Sequence, residues 1–97
     1  LLVIRTFADK ASKELFEGTK CHRQFRPFQA AAERKLAILN SATSVRDLES
    51  PPGNRLEKLK GDRSGQWSIR INDQWRLVFD WDEVGSEARN VEIVDYY

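Results

Sequence analysis

"WSIRINDQWRLVFDW", residues 67–81, alternates apolar and polar side chains on both sides of Asn72-Asp73-Gln74. Trp67, Ile69 and Ile71 share one parity; Trp75, Leu77, Phe79 and Trp81 share one beyond the turn. A period of two predicts a pair of half-buried antiparallel strands. The apolar pattern then selects the turn. A two-residue Asn-Asp turn pairs Ile69 with Arg76 and drives the arginine into the core. A three-residue loop pairs Ile71 with Trp75 and Arg70 with Arg76, and keeps both apolar stripes on one side. That register sets two like charges opposite each other, which is destabilising in isolation. An anion between them would turn repulsion into shared attraction, because guanidinium groups present planar donors suited to phosphate. Ion pairing is the alternative: Arg70 with Asp73, and Arg76 with Asp80 or Glu92. The face carrying Ser68, Arg70, Arg76 and Val78 is expected to lie open to solvent or to a ligand.

Working outward, "LVIRTF" predicts a short strand and "DKASKELFEG" a helix, with Asp9 as cap and Gly18 as the left-handed stop. "TKCHRQFR" reads as loop. "PFQAAAERKLAILN" predicts the main helix, with Pro27 in its first turn and Phe28, Ala32, Leu36 and Leu39 on one face. Ser44 and Asp47 have capping-box spacing for one more turn. "SPPGN" forces a break, because Pro51 and Pro52 cannot continue a helix. "RLEKLKG" predicts a short strand before the hairpin, and "ARNVEIVDYY" a last strand rich in β-branched and aromatic residues. The expected fold is α+β: an N-terminal strand and two helices packed on a curved antiparallel sheet, in a single domain over residues 1–97.

The chain has 97 residues, 40% of them hydrophobic, enough for one core without staples. A single cysteine, Cys21, rules out an intrachain disulfide and suits a reducing cytoplasm. "LLVIRTF" has four apolar residues before Arg5, too few for a signal peptide or a membrane span. The expectation is a cytoplasmic protein with no membrane partner. Net charge is only +1, so any nucleic-acid surface must come from local runs such as "KCHRQFR" and "NRLEKLKGDR".

"GDRSG" lacks the Lys-Ser/Thr ending of a phosphate loop, and Cys21-His22 has no companions for a metal. Neither cofactor nor metal is expected. What remains is a cationic and phenolic set: Arg70 and Arg76 on the hairpin, Glu57, Lys58 and Lys60 on the preceding strand, and Tyr96 and Tyr97 at the end. Such groups suit RNA cleavage, where a 2′-hydroxyl attacks the adjacent phosphorus. The arginines would stabilise the crowded transition state and Glu57 could serve as base. A tyrosine, with an ordinary pKa of about 10, needs neighbouring cations to take part.

The run "PPGNRLEKLKGDRSGQWSIRINDQWR" and the closing "EIVDY" resemble the HigB branch of the RelE/ParE toxin superfamily. The resemblance implies two helices on an antiparallel sheet. It also implies a ribosome-dependent endoribonuclease of a type II toxin–antitoxin system, cutting messenger RNA without a metal and slowly when off the ribosome. The implied partner is a HigA-type helix-turn-helix antitoxin, which carries the pair to operator DNA. Arg76 in "NDQWR" matches the family's basic hairpin position, with Arg70 beside it; Lys60 in "LKGD" and Tyr96 match two more. Arg55, Lys58, Lys60 and Arg63 are the candidate RNA and ribosome contacts. Arg76, Arg70, Glu57, Tyr96 and Tyr97 are the candidate catalytic set. Related toxins often carry histidine where this chain has Tyr97, and some where it has Glu57. Two other roles share the fold: a ParE-like inhibitor of DNA gyrase, and a non-catalytic module acting in an autorepressor complex.

Overall fold

The computed structural model describes residues 2–96. Two helices, α1 (Lys10–Glu17) and α2 (Gln29–Asn40), precede four strands: β1 (Glu57–Lys58), β2 (Trp67–Arg70), β3 (Trp75–Asp82) and β4 (Glu87–Asp95). The strands form one antiparallel sheet in sequence order.

α1 starts and stops as its residues dictate. Asp9 Oδ1 accepts from the Ser12 amide at 3.2 Å, and Gly18 takes the left-handed conformation at φ 76°. α2 starts at Gln29, later than expected. Pro27 and Phe28 belong to a 3₁₀ helix, Arg23–Phe28, that replaces the predicted loop and sends Phe25 into the core. Val45–Glu49 forms the expected extra turn. The Asp47 carboxylate accepts from the Thr43 amide and hydroxyl, each at 2.9 Å, and from the Ser44 amide at 3.3 Å.

The predicted N-terminal strand is reduced to two isolated parallel bridges, Ile4 to Ala88 and Phe7 to Val91. The reason lies in β4. Asn90 has φ 52° and turns its amide to Thr6 Oγ1 at 2.8 Å, breaking the backbone ladder between the bridges. Asn40 Oδ1 holds the start of the same segment by accepting from Val3 and Ile4 amides.

The hairpin has the three-residue loop that the apolar pattern demands. Arg70 pairs with Arg76, and the Ile71 amide donates to the Trp75 carbonyl at 3.0 Å. Asn72 Oδ1 fixes the loop by accepting from the Gln74 and Trp75 amides, both at 2.8 Å. Ile69, Ile71, Leu77 and Phe79 are buried under the helices with Leu15, Phe25, Leu36 and Leu39. Trp75 rests against Phe25 and Phe28, with ring centroids 5.9 and 5.0 Å away. Inside the core, Ser12 Oγ accepts from the Ile93 amide at 3.0 Å and ties α1 to β4.

The opposite face departs from expectation. Ser68 and Val78, expected to be open, are fully buried. Leu59 is buried on this side too, and neither it nor Val78 belongs to the main apolar cluster. Side chains and backbone from residues 54–63 cover the face: Arg63 reaches Glu92 at 3.4 Å, and the Arg55 carbonyl accepts from Arg76.

Candidate active site

The hairpin pairing places Arg70 and Arg76 together, and each is relieved differently. Arg70 forms an ion pair with Asp73 at the hairpin tip. Asp73 is 96% exposed, so this pair is well screened. Arg76 joins neither Asp80 nor Glu92. Asp80 accepts from Asn90 Nδ2 at 2.7 Å, and Glu92 is taken by Arg63. Arg76 instead lies half-buried on β3. Its Nε donates to Ser68 Oγ at 2.8 Å, and its Nη2 donates to the Arg55 carbonyl at 2.7 Å and to the Ser68 carbonyl at 3.5 Å. Two of its three nitrogens are thereby committed to protein. Nη1 has no hydrogen-bond partner among the described residues, so it is the nitrogen with both N–H groups available to an anion.

Tyr96 reaches this guanidinium because the end of β4 is tied to the hairpin loop. The Tyr96 amide donates to the Gln74 carbonyl at 2.7 Å, and Gln74 Nε2 donates to Asp95 at 2.9 Å. The Arg76 Cζ then sits 5.2 Å from the Tyr96 ring centre, in cation–π range. The Tyr96 hydroxyl donates to Glu57 Oε1 at 3.1 Å. Glu57 faces the same side because it pairs with Ser68 across β1 and β2. Glu57, Tyr96 and Arg76 therefore form one continuous chain of contacts, drawn from β1, the residue after β4, and β3.

The electrostatics follow the geometry. The hydrogen bond to Glu57 raises the Tyr96 pKa above its ordinary 10.0, helped by partial burial and the Glu57 charge and opposed by Arg76. Tyr96 is held as a neutral donor. Burial lowers the Arg76 pKa, with Arg70 and Arg55 in the same direction and Glu57 and Tyr96 against it. An arginine so shifted remains a cation.

Tyr96 separates two hollows. One, about 220 Å³, is lined by Arg55, Arg70, Asn72, Asp73, Arg76 and Tyr96. The other, about 360 Å³, is lined by Glu57, Lys58, Leu59, Lys60 and Tyr96. Lys58 also lies over the Trp67 ring, 5.3 Å from its centre. Of the residues singled out in the sequence, Arg55, Glu57, Lys58, Lys60, Arg70, Arg76 and Tyr96 meet here. Arg63 does not line either hollow; it is spent on Gln66 and Glu92. Tyr97 lies outside the described residues.

Three residues have roles that the sequence reading did not assign. Ser68 anchors Arg76 from beneath. Buried Asn54 holds the turn before Arg55, its Nδ2 donating to the Leu48 and Ser50 carbonyls at 3.2 Å each. Lys35, on α2, donates to Asn54 Oδ1. Its pKa is lowered by burial first, then by Arg34 and Arg70. Nothing local in "AERKLA" marks Lys35 out; "PPGN" was visible, but only as a break. Among the described residues no group of three or more His, Cys, Asp or Glu side chains is placed to hold a metal ion.

Comparison with known proteins bears on the family and the fold. The sequence model of HigB-like toxins, described as the RelE-like toxin of the type II toxin–antitoxin system HigB, matches residues 5–97. Toxin HigB-1 of Vibrio cholerae is 45% identical over 76 residues, covering 77% of this chain and 80% of that protein. Endoribonuclease HigB of Proteus vulgaris is 31% identical over 96 residues, covering 98% of this chain and 100% of the relative. Among solved structures, a YoeB/ParE toxin from Agrobacterium tumefaciens superposes with a TM-score of 0.57 at 22% identity, covering 96% of this chain and 99% of that one. A YoeB-YefM complex from Staphylococcus aureus gives 0.56 at 18% identity, over 97% and 98%. These two share the fold. The near-complete family match and the two HigB relatives place this chain in the HigB-like family of RelE-like toxins from type II toxin–antitoxin systems.

Proposed function

We propose that this toxin is an endoribonuclease that cleaves messenger RNA on the ribosome and is neutralised by a HigA-type helix-turn-helix antitoxin. The observation that carries the reading is the Glu57–Tyr96–Arg76 contact chain between two hollows lined with cations. The full-length relationship to a protein named as an endoribonuclease supports the same reaction.

The chemistry divides among these groups. The Glu57 carboxylate takes the proton of the 2′-hydroxyl as that oxygen bonds to phosphorus. The bond from phosphorus to the 5′-oxygen breaks, leaving a 2′,3′-cyclic phosphate and a 5′-hydroxyl. Arg76 Nη1 donates to a non-bridging oxygen whose charge grows in the transition state. Tyr96, held protonated against Glu57, orients the base, and solvent protonates the departing 5′-oxygen. Arg70 exchanges its exposed bond to Asp73 for a phosphate. Lys58, Lys60 and Arg55 bind the flanking backbone, while Arg63 stays on Gln66 and Glu92. With no imidazole in the cluster, rate rests on orientation imposed by the ribosome, a contribution of up to about 7–11 kcal/mol.

The antitoxin supplies the contacts to operator DNA, and the toxin works in the cytoplasm. No helix among the described residues is long and apolar enough to cross a membrane. The test is to induce the chain alone in a bacterium and map new messenger RNA 5′ ends. Cleavage inside translated frames and in phase with codons is expected. Growth arrest without such ends, accompanied by loss of plasmid supercoiling, would replace this reading with gyrase inhibition. Neither effect would leave a binding module.

A further inference from the structure

The turn at "PPGN" has no role in the chemistry above, yet it holds a fully buried asparagine one residue from a carbonyl that grips Arg76. Asn54 uses its side chain completely. Nδ2 donates to the Leu48 and Ser50 carbonyls, and Oδ1 accepts from Lys35 of α2. Its own amide donates to the Pro51 carbonyl at 2.9 Å. Arg55 follows in the left-handed conformation at φ 46°, with its amide on the Pro52 carbonyl at 3.1 Å. Few residues other than glycine hold that conformation unless the surroundings impose it. Here it aims the Arg55 carbonyl at Arg76 Nη2.

We propose that Asn54 is a positioning residue for Arg76: clamped by Lys35, it sets the Arg55 carbonyl, which with Ser68 locks the guanidinium so that only Nη1 faces the RNA. This rests on Arg76 being the cation of the cleavage site. A donor fixed in place before the reaction stabilises developing charge without reorganising. A misplacement of about 1 Å can cost about a hundredfold in rate. Asn54 touches no substrate in this account, and Lys35 acts through it.

The test joins nitrogen-15 NMR of the arginine side chains to cleavage on programmed ribosomes. Hydrogen bonds on Nε and Nη2 block rotation about the guanidinium bonds, so Arg76 should show separate Nη1 and Nη2 signals in the wild type. Asn54→Asp keeps the Lys35 contact and loses both donors; Lys35→Met removes only the amine, on a helix surface, and guards against an Asn54 variant that fails to fold. Both should merge the Nη signals. Both should lower kcat about ten- to a hundredfold, with little change in KM and no change in salt dependence. Separate Nη signals in both variants would overturn the proposal, and so would merged signals with wild-type kcat. A Lys35→Met salt slope reduced by one phosphate's worth, about 0.7–0.9, would also overturn it, since Lys35 would then bind RNA directly. If the wild type cleaves nothing, the functional reading fails, while the NMR comparison still decides whether Asn54 sets the guanidinium.

Discussion

Arg76→Ala separates structure from chemistry, because the side chain serves both and the two losses differ in size. Removing it strips the donor from Ser68 Oγ, which is fully buried, and from the Arg55 carbonyl, which belongs to an exposed residue. Water can replace the second donor but not the first. An unsatisfied buried hydroxyl costs about 1–3 kcal/mol. A small domain has about 5–15 kcal/mol in all, so the variant stays folded at 25 °C. Its Tm falls by about 4–8 °C for each kcal/mol lost. The catalytic loss is larger: deleting one donor to transition-state charge lowers kcat by about 10²–10³. Arg76→Lys should not rescue it, because one ammonium cannot hold Ser68, the Arg55 carbonyl and a phosphate together. The assay pairs thermal melting by circular dichroism with single-turnover cleavage on programmed ribosomes. A folded Arg76→Ala protein cutting at the wild-type rate would refute the role of Nη1. An unchanged Tm would refute the buried anchor on Ser68.

Glu57→Gln should lower kcat by about 10²–10⁴, the usual loss of a general base, and should bring the Tyr96 pKa back down. Ultraviolet titration of the phenol in a Tyr97→Phe background reads that shift. The Glu57 bond favours the protonated phenol, so its stabilisation is complete below pH 10.0 and fades as pH rises through the raised folded value. Asp47 has the opposite sign: bonds from the Thr43 amide and hydroxyl lead the causes that lower its pKa below 3.8. Its stabilisation is present above 3.8 and lost as pH falls through the folded value, so Asp47→Asn should lower Tm at neutral pH and flatten its acid dependence. Phe79→Ala, in the middle of β3 and fully buried, should cost about 3–5 kcal/mol in urea unfolding, and should reduce toxicity through loss of folded protein.

Wherever a few neighbouring residues decide the outcome, the chain could be read directly. Asp9 and Gly18 bound α1 by local hydrogen bonds and a left-handed stop. The alternation in residues 67–81 fixed the loop length and put Arg70 opposite Arg76, because a shift of one residue would have sent Arg76 into the core. The order of elements gave two helices over an antiparallel sheet. Arg70 and Arg76 were visible in the same way, as two charges on one parity.

Only the tertiary structure could say what each charge meets. Arg76 is 21 residues from the carbonyl that caps it, Tyr96 is 39 from Glu57, and Arg63 is 29 from Glu92. Alternation assigns a side chain to a face but not what covers that face, so Ser68 and Val78 read as open although residues 54–63 bury them. Lys35 and Asn54 lie on different elements 19 positions apart, and their bond exists because α2 and the turn at "PPGN" pack together. The sequence by itself determined the two helices, the hairpin with its register, and the family. The packing of distant segments decided how Arg76 is held through Nε and Nη2, and how a glutamate and a tyrosine come to share its side.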